Sequence, residues 1–301
     1  MLKIDIKHEH APAERWHKMN FDDHFNVRLP KISKNDKLLT LGSCFAQHII
    51  KGLQKAGVSV NEENDFVSYD DLITTTQAML EHFKWCTSEN ADAVPPIYFK
   101  GPTLEGDRNT RSRLPTDKEW EDAQKNANDK NFLRKMHKTS LSSLQNASCV
   151  ILTFGLSELW YDEVSGNSVW KWPGEEASQS LKFKILTAEE KSKNLHDLIA
   201  LIRSQNKSCS IVISLSPIPL RATFRSDNNI FVSNSASKSR LRAGIDQFFV
   251  ENKDDNVYYW PTYEFLTHPP SSDNFWDQDE RHVKFDVIYK IVDMFVTKVM
   301  K

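Results

Sequence analysis

Four short runs of the chain are apolar almost without interruption: 37–41 (KLLTL), 149–154 (CVILTF), 209–215 (CSIVISL) and 257–260 (VYYW). A strand exposed on one face alternates apolar and polar residues, whereas one covered on both faces does not. These runs therefore predict buried parallel strands. A weaker run, VSV at 58–60, is a further candidate. Between the runs the period becomes that of a helix. Residues 46–56 and 235–250 have helical spacing, and 283–301 sets Val287, Ile291, Met294, Phe295 and Val299 on one face. Ser68 with Asp71 predicts the start of a helix over 69–85. Thr116 with Glu119 opens a polar, interrupted segment reaching about 144, and Thr187 with Glu190 is a capping box for a helix to about 204.

Strand and helix alternate, which predicts an α/β fold with a parallel sheet and right-handed crossovers. Two stretches break the alternation. Residues 87–115 are rich in Pro, Gly and charge and read as a long loop, part of an insertion over about 87–147. Residues 160–184, with GNSVWKWPG, read as a hairpin or lid. No internal repeat, low-complexity tract or clear linker divides the rest. The expected organisation is an N-terminal arm over 1–35 and a single domain over 36–301.

Composition narrows the function classes. The chain has 301 residues, 39% hydrophobic and 27% charged, with a formal net charge of -2. It is long enough to bury a sizeable core, and it lacks the clustered positive surplus that nucleic acid requires. No apolar run approaches the roughly 18–20 residues of a membrane span. The first twenty residues lack the apolar core of a secretory leader, and the four cysteines are scattered, with no metal-like pairing. A cytoplasmic protein with reduced thiols is expected. No Gly-x-Gly-x-x-Gly or Walker sequence occurs, and no cofactor is expected. His8, His10, His17 and His24 lie in the arm, where a metal site with a fixed second shell is not expected.

In open α/β sheets, ligands bind beyond the carboxyl ends of the strands. That rule selects Gly42-Ser43-Cys44, Gly155-Leu156-Ser157-Glu158, the SPIPL turn at 216–220, and FWDQDERHV at 275–283. The first offers two nucleophile types at a helix start, where backbone N–H groups and the helix dipole lower a thiol pKa and hold an oxyanion. The last offers Asp279 and His282, spaced so that the carboxylate can accept the imidazole Nδ1–H and leave Nε2 toward a nucleophile. Read locally, the first junction is equally a tight turn with Ser43 as N-cap and Cys44 as packing. Glu158 reads as a charge that positions its loop. Among Arg111, Arg113, Arg221, Arg240 and Arg242, Arg221 is the best candidate for recognising an anionic group, since it follows the SPIPL turn.

GSCFA at 42–46 is the motif that names the GSCFA family, considered related to the GDSL (SGNH) hydrolases. The resemblance continues through TFGLSELWYD (153–162), SPIPLRATF (216–224), SKSRLRA (237–243), YYWPTYE (258–264) and DERHV (279–283), and covers roughly residues 36–300. It implies a flavodoxin-like three-layer α/β/α sandwich that cleaves or transfers ester-linked acyl groups, frequently on carbohydrates, using a Ser nucleophile and an Asp-x-x-His. Two departures stand out. Where the relatives carry Gly-Asp-Ser this chain carries Gly42-Ser43-Cys44, so an ungapped register puts Cys44 at the nucleophile position and Ser43 at that of the aspartate. Where they carry Gly-x-Asn-Asp it carries Gly155-Leu156-Ser157-Glu158, which replaces the oxyanion asparagine by Ser157.

The expectation is thus an esterase or O-acyltransferase acting on a carbohydrate or other acylated small molecule. Cys44 or Ser43 attacks, His282 is base and acid, and Asp279 orients it. Gly42, Phe45, Gly155, Ser157, Glu158 and Arg221 would line the oxyanion and substrate site. The alternative is a catalytically inactive carbohydrate-binding or scaffolding module in glycan biosynthesis, with a glycosyltransferase as its partner. The eight Trp residues add candidates for stacking on sugar rings.

Overall fold

A computed structural model describes residues 27–60, 73–90, 130–169, 181–220, 222–267, 275–278 and 283–300. Strands β1 (Leu38–Gly42), β2 (Cys149–Phe154), β6 (Ser210–Leu215) and β7 (Val257–Trp260) form a four-stranded parallel sheet in the order β1-β2-β6-β7. Val60 adds a single parallel bridge to Leu38 on the outer side of β1. Counting Val60 as the second strand met along the chain, the order is that of a flavodoxin-like sheet, whose direction of winding reverses between β1 and β2.

Both faces of the sheet are covered, which is why its strands do not alternate. Leu39, Leu41, Val150, Leu152, Phe154, Ile211, Ile213 and Leu215 point into one apolar cluster. Helices α2 (Thr76–Cys86), α3 (Lys130–Asn146), α4 (Ala188–Gln205) and α5 (Ile230–Glu251) complete that cluster. Leu38, Cys149, Ile151 and Val212 point the other way, against α1 (Cys44–Lys55), α6 (Thr262–Thr267) and α7 (Phe285–Val299). The result is a three-layer α/β/α sandwich. On α7 the predicted apolar face is buried at Val287, Ile291, Phe295 and Val299, and Met294 is partly buried.

Beyond β2 the chain forms a small antiparallel sheet, in the order β4-β3-β5, from β3 (Glu158–Tyr161), β4 (Ser168–Val169) and β5 (Lys182–Ile185). Glu81 on α2 ties it down. Its buried carboxylate accepts from the Ser168 N–H at 2.9 Å and from the Ser168 hydroxyl.

Two helix starts differ from the sequence expectation. The helix expected over 69–85 begins at Thr76, because Thr75 turns out of the helix and its Oγ1 caps the N–H of Ala78 at 3.1 Å. The proposed Ser68/Asp71 cap lies outside the described residues. Helix α5 begins at Ile230 rather than 235, since the Asn229 side chain caps Val232 N–H at 3.0 Å. Of the segment expected from Thr116, residues 116–129 lie outside the described residues and α3 follows. The Thr187–Glu190 capping box is present at α4.

Candidate active site

The β1–α1 junction is built by a glycine. Gly42 has φ +137°, and a Cβ there would lie 2.0 Å from the Thr153 carbonyl oxygen on β2. Only glycine lets β1 turn this close to its neighbour. The Ser43 N–H then donates to that same oxygen at 3.1 Å. Ser43 occupies the N-cap position of α1 but makes no side-chain cap bond. It is 4% exposed, and its Oγ has no hydrogen-bond partner among the described residues. The backbone of Cys44 opens α1; its side chain lies outside the description.

Two loops face this junction. A Cβ on Gly155 would lie 3.4 Å from Ser43 Cβ and 3.7 Å from Ser216 Cβ, so the turns after β1, β2 and β6 converge. The Ser216 N–H donates to Phe154 O at 2.7 Å and joins the last two. The convergence lies at the carboxyl end of the sheet, where its winding reverses, the place open α/β sheets use for ligands.

Hydrogen bonds decide which donors face a ligand. Gly155 and Leu156 give their N–H groups to Thr74 O, at 2.8 and 3.2 Å. Ser157 is fully buried, with its N–H on Ser237 Oγ at 3.0 Å and its hydroxyl on Ser237 O at 2.6 Å. In this arrangement Ser157 holds its loop against α5 and does not donate into the junction. The first N–H groups of a helix have no intrahelical acceptor, and those of Cys44 and Phe45 open α1 at this junction. The Phe45 side chain itself is fully buried beneath α1.

Glu158 is 8% exposed and accepts from Thr223 Oγ1 at 2.9 and 3.1 Å. Burial raises its pKa, against the opposing pull of that hydroxyl, the Phe224 N–H and the charges of Arg225 and Arg240. Beyond it Trp160 and Phe224 meet edge-on at 5.1 Å, with Phe183 5.5 Å from Trp160, and Phe224 is 40% exposed. The Arg240 Nη1 is buried with no partner among the described residues, whereas Arg242 is bound to Glu264 at 2.6 Å and Asp246 at 3.1 Å.

Asp279, His282, Arg221, Arg111, Arg113 and the four N-terminal histidines lie outside the described residues. The flanks of 277–282 are described: Trp276 and Val283 form an antiparallel bridge, and Lys284 N–H donates to Phe275 O at 3.0 Å. Phe285, at the start of α7, meets the His48 ring edge-on at 5.1 Å. His48 lies one turn along α1 from Cys44, so the start of α7 packs beside the first turns of α1. Among the described residues no three His, Cys, Asp or Glu side chains gather as metal ligands, and none of their helices is long and apolar enough to cross a membrane.

Lys238 was not foreseen as a site residue. It lies in SKSRLRA, is 2% exposed, and donates from Nζ to Gly155 O at 2.9 Å and Ser216 O at 2.7 Å. A signal existed: Lys238 shares the buried face of α5 with Leu241 and Ile245, where an unpartnered lysine would be costly.

Among solved structures, one described as "Peptidoglycan O-acetylesterase in action, 5 min" is similar with a TM-score of 0.32 at 14% identity, over 53% of this chain and 39% of that one. The chain thus spans well under half of that structure's length. No curated protein matches significantly. The family model described as "GSCFA family" matches residues 37–295, from the start of the first strand into the last helix, and on that match the chain belongs to the GSCFA family.

Proposed function

We propose that this chain is an ester-directed acyl-transfer enzyme, a hydrolase or an O-acyltransferase, with Cys44 as nucleophile. The observation that carries the reading is the convergence at the sheet's reversal point: a glycine-built junction, two facing loops, and the leading N–H groups of α1. The choice of Cys44 over Ser43 follows from the glycine register and from burial. Ser43 is held against Gly155 at 4% exposure, and a thiol next to a histidine needs less activation than a hydroxyl.

In this reading His282 Nε2 takes the Cys44 proton as sulfur attacks the acyl carbonyl, and Asp279 holds the imidazole Nδ1–H. The N–H groups of Cys44 and Phe45 receive the oxyanion. Collapse breaks the ester C–O bond, and His282 returns the proton to the departing alcohol. The thioester is then attacked by water or by an acceptor hydroxyl, which is the sole difference between hydrolysis and transfer. The Trp160–Phe183–Phe224 cluster, partly exposed beyond Glu158, suits stacking on a sugar ring and supports a carbohydrate ester as substrate.

A second reading, a non-catalytic carbohydrate-binding or scaffolding module, draws on the commitment of Ser157, Gly155 and Leu156 to bonds within the fold. Stopped-flow release from a p-nitrophenyl ester separates the two. The enzyme reading expects a burst near one equivalent per chain, lost in Cys44→Ala and His282→Ala and retained in Ser43→Ala. Turnover that survives both losses, or glycan binding without any acyl release, overturns it.

A further inference from the structure

Two helices of this fold match their surface cations with acids one turn away. On α4 Lys193 pairs with Asp197, and on α5 Arg242 pairs with Asp246 at 3.1 Å, each four residues on. Helix α3 is built the other way. Its 17 residues hold no Asp or Glu, and Lys130, Arg134, Lys135 and Lys138 fall within its first nine. Lys130, Arg134 and Lys138 stand four apart in one exposed column, with Lys135 exposed beside it.

Like charges at that spacing weaken a helix, and a cation in the first turn opposes the helix dipole. Lys130, Lys135 and Lys138 make no ion pair among the described residues. Glu89, exposed beyond α2, makes none with them, although its neighbour Ser88 bonds His137 of α3 at 3.1 Å. Packing does not call for the column either, because the buried side of α3 is formed by Met136, His137, Ser140 and Leu144. Within the described fold the repulsion has no compensation, and an anion from outside would supply it.

We propose that this face of α3 docks an acidic polysaccharide. A rise of about 1.5 Å per residue sets the cations of the column about 6 Å apart over about 12 Å, a line suited to a linear polymer. The choice among polyanions follows from what accompanies the charge. The other exposed side chains described on α3 are Asn131, Ser142, Gln145 and Asn146, amides and a hydroxyl of the kind that hydrogen-bond to sugar hydroxyls. None is apolar, as docking into a lipid surface requires, and none is aromatic, as stacking on bases requires. The inference rests on the carbohydrate reading above for its choice of polymer, and on nothing at Cys44.

The test is binding of the folded full-length chain to immobilised polygalacturonate, read by biolayer interferometry. The wild-type chain is expected to bind, more weakly as NaCl is raised, and to pass over uncharged dextran. Lys135→Glu with Lys138→Glu should weaken binding about tenfold. Lys135→Gln with Lys138→Gln should weaken it less, and it carries the test if the reversed pair does not fold. Lys51→Glu with Lys253→Glu makes the same change in net charge at two exposed positions, on α1 across the sheet from α3 and beyond α5, and should bind as wild type does. Absence of binding at low salt, an equal loss in the Lys51 and Lys253 pair, or tighter binding to phosphatidylglycerol vesicles or to oligo-deoxythymidine overturns the proposal. The p-nitrophenyl ester burst is the separate readout. A chain that gives the burst and ignores the polymer loses this inference alone, whereas one that binds the polymer without a burst keeps it and loses the enzyme reading.

Discussion

Replacing Gly42 by alanine tests whether the β1–α1 junction is as tight as the site requires. The new Cβ would lie 2.0 Å from Thr153 O, with the carbonyl carbon and N of Thr153 at 2.8 and 2.9 Å. All three are backbone atoms, so no side chain can swing aside and β1 must part from β2 at its carboxyl end. The φ of +137° is itself a conformation L-residues rarely adopt, and such strain costs of order 1–3 kcal/mol. Loss of the Ser43 N–H bond to Thr153 O adds about 1 kcal/mol. With the strand separation, the total is at least about 3 kcal/mol, a large share of the 5–15 kcal/mol that holds a typical domain. Gly57→Ala is the control: φ is +76° there, but a Cβ meets nothing within 4 Å, so only the backbone preference of about 1–2 kcal/mol is lost. Urea denaturation at constant slope reads the difference. With a slope near 3 kcal/mol per molar, Gly42→Ala shifts the midpoint down by about 1 M, clearly more than Gly57→Ala. Equal shifts in the two variants would refute the close approach of β1 to Thr153.

Three further outcomes follow from buried polar groups. His82 is fully buried, and desolvation lowers its pKa to about 3. The unfolded chain therefore binds a proton that the folded one refuses as pH falls from 6.5 toward 3, and His82→Leu should lessen the loss of stability between pH 7 and 5 by about 2 kcal/mol in urea titrations. Lys191, buried between α4 and α5, is lowered to about 7, first by desolvation and then by Arg240. The unfolded chain holds that proton up to about 10.5, so wild-type stability should rise relative to Lys191→Met by about 1.4 kcal/mol per pH unit above 7, and parallel profiles would count against it. Glu81→Ala strands the buried Ser168 N–H and hydroxyl. It should cost about 2–4 kcal/mol and speed proteolysis between β3 and β5, whereas an unchanged cleavage rate would mean that β4 is held by something else.

The parallel sheet was legible because its strands are buried on both faces and so appear as unbroken apolar runs; CVILTF and VYYW match β2 and β7 residue for residue. The capping box at Thr187 was legible for a similar reason, since its signal is entirely local. Helix starts were less so where a single side-chain cap decides them. Thr75 and Asn229 each act through one hydrogen bond, and nothing in the apolar period marks it. In the site, the Gly42-Ser43-Cys44 turn was visible as a strand end meeting a helix start. Its convergence with Gly155 and Ser216 depends on strand order, which local sequence does not carry. Ser157 and Lys238 were the hardest to place. A serine after a strand reads as a donor to ligand, and a lysine on a helix reads as solvated. Only the packing of α5 turns both inward, onto the loops.

The central claim is that Cys44 carries the acyl group. Acid-quenched chain, taken after brief mixing with p-nitrophenyl acetate, can be digested and its acyl adduct located by peptide mass spectrometry. The account predicts one acetyl group on Cys44, labile to hydroxylamine at neutral pH as a thioester is, and absent from Cys44→Ala. An acetyl group on Ser43, or release of p-nitrophenol with Cys44 unmodified throughout, would contradict it.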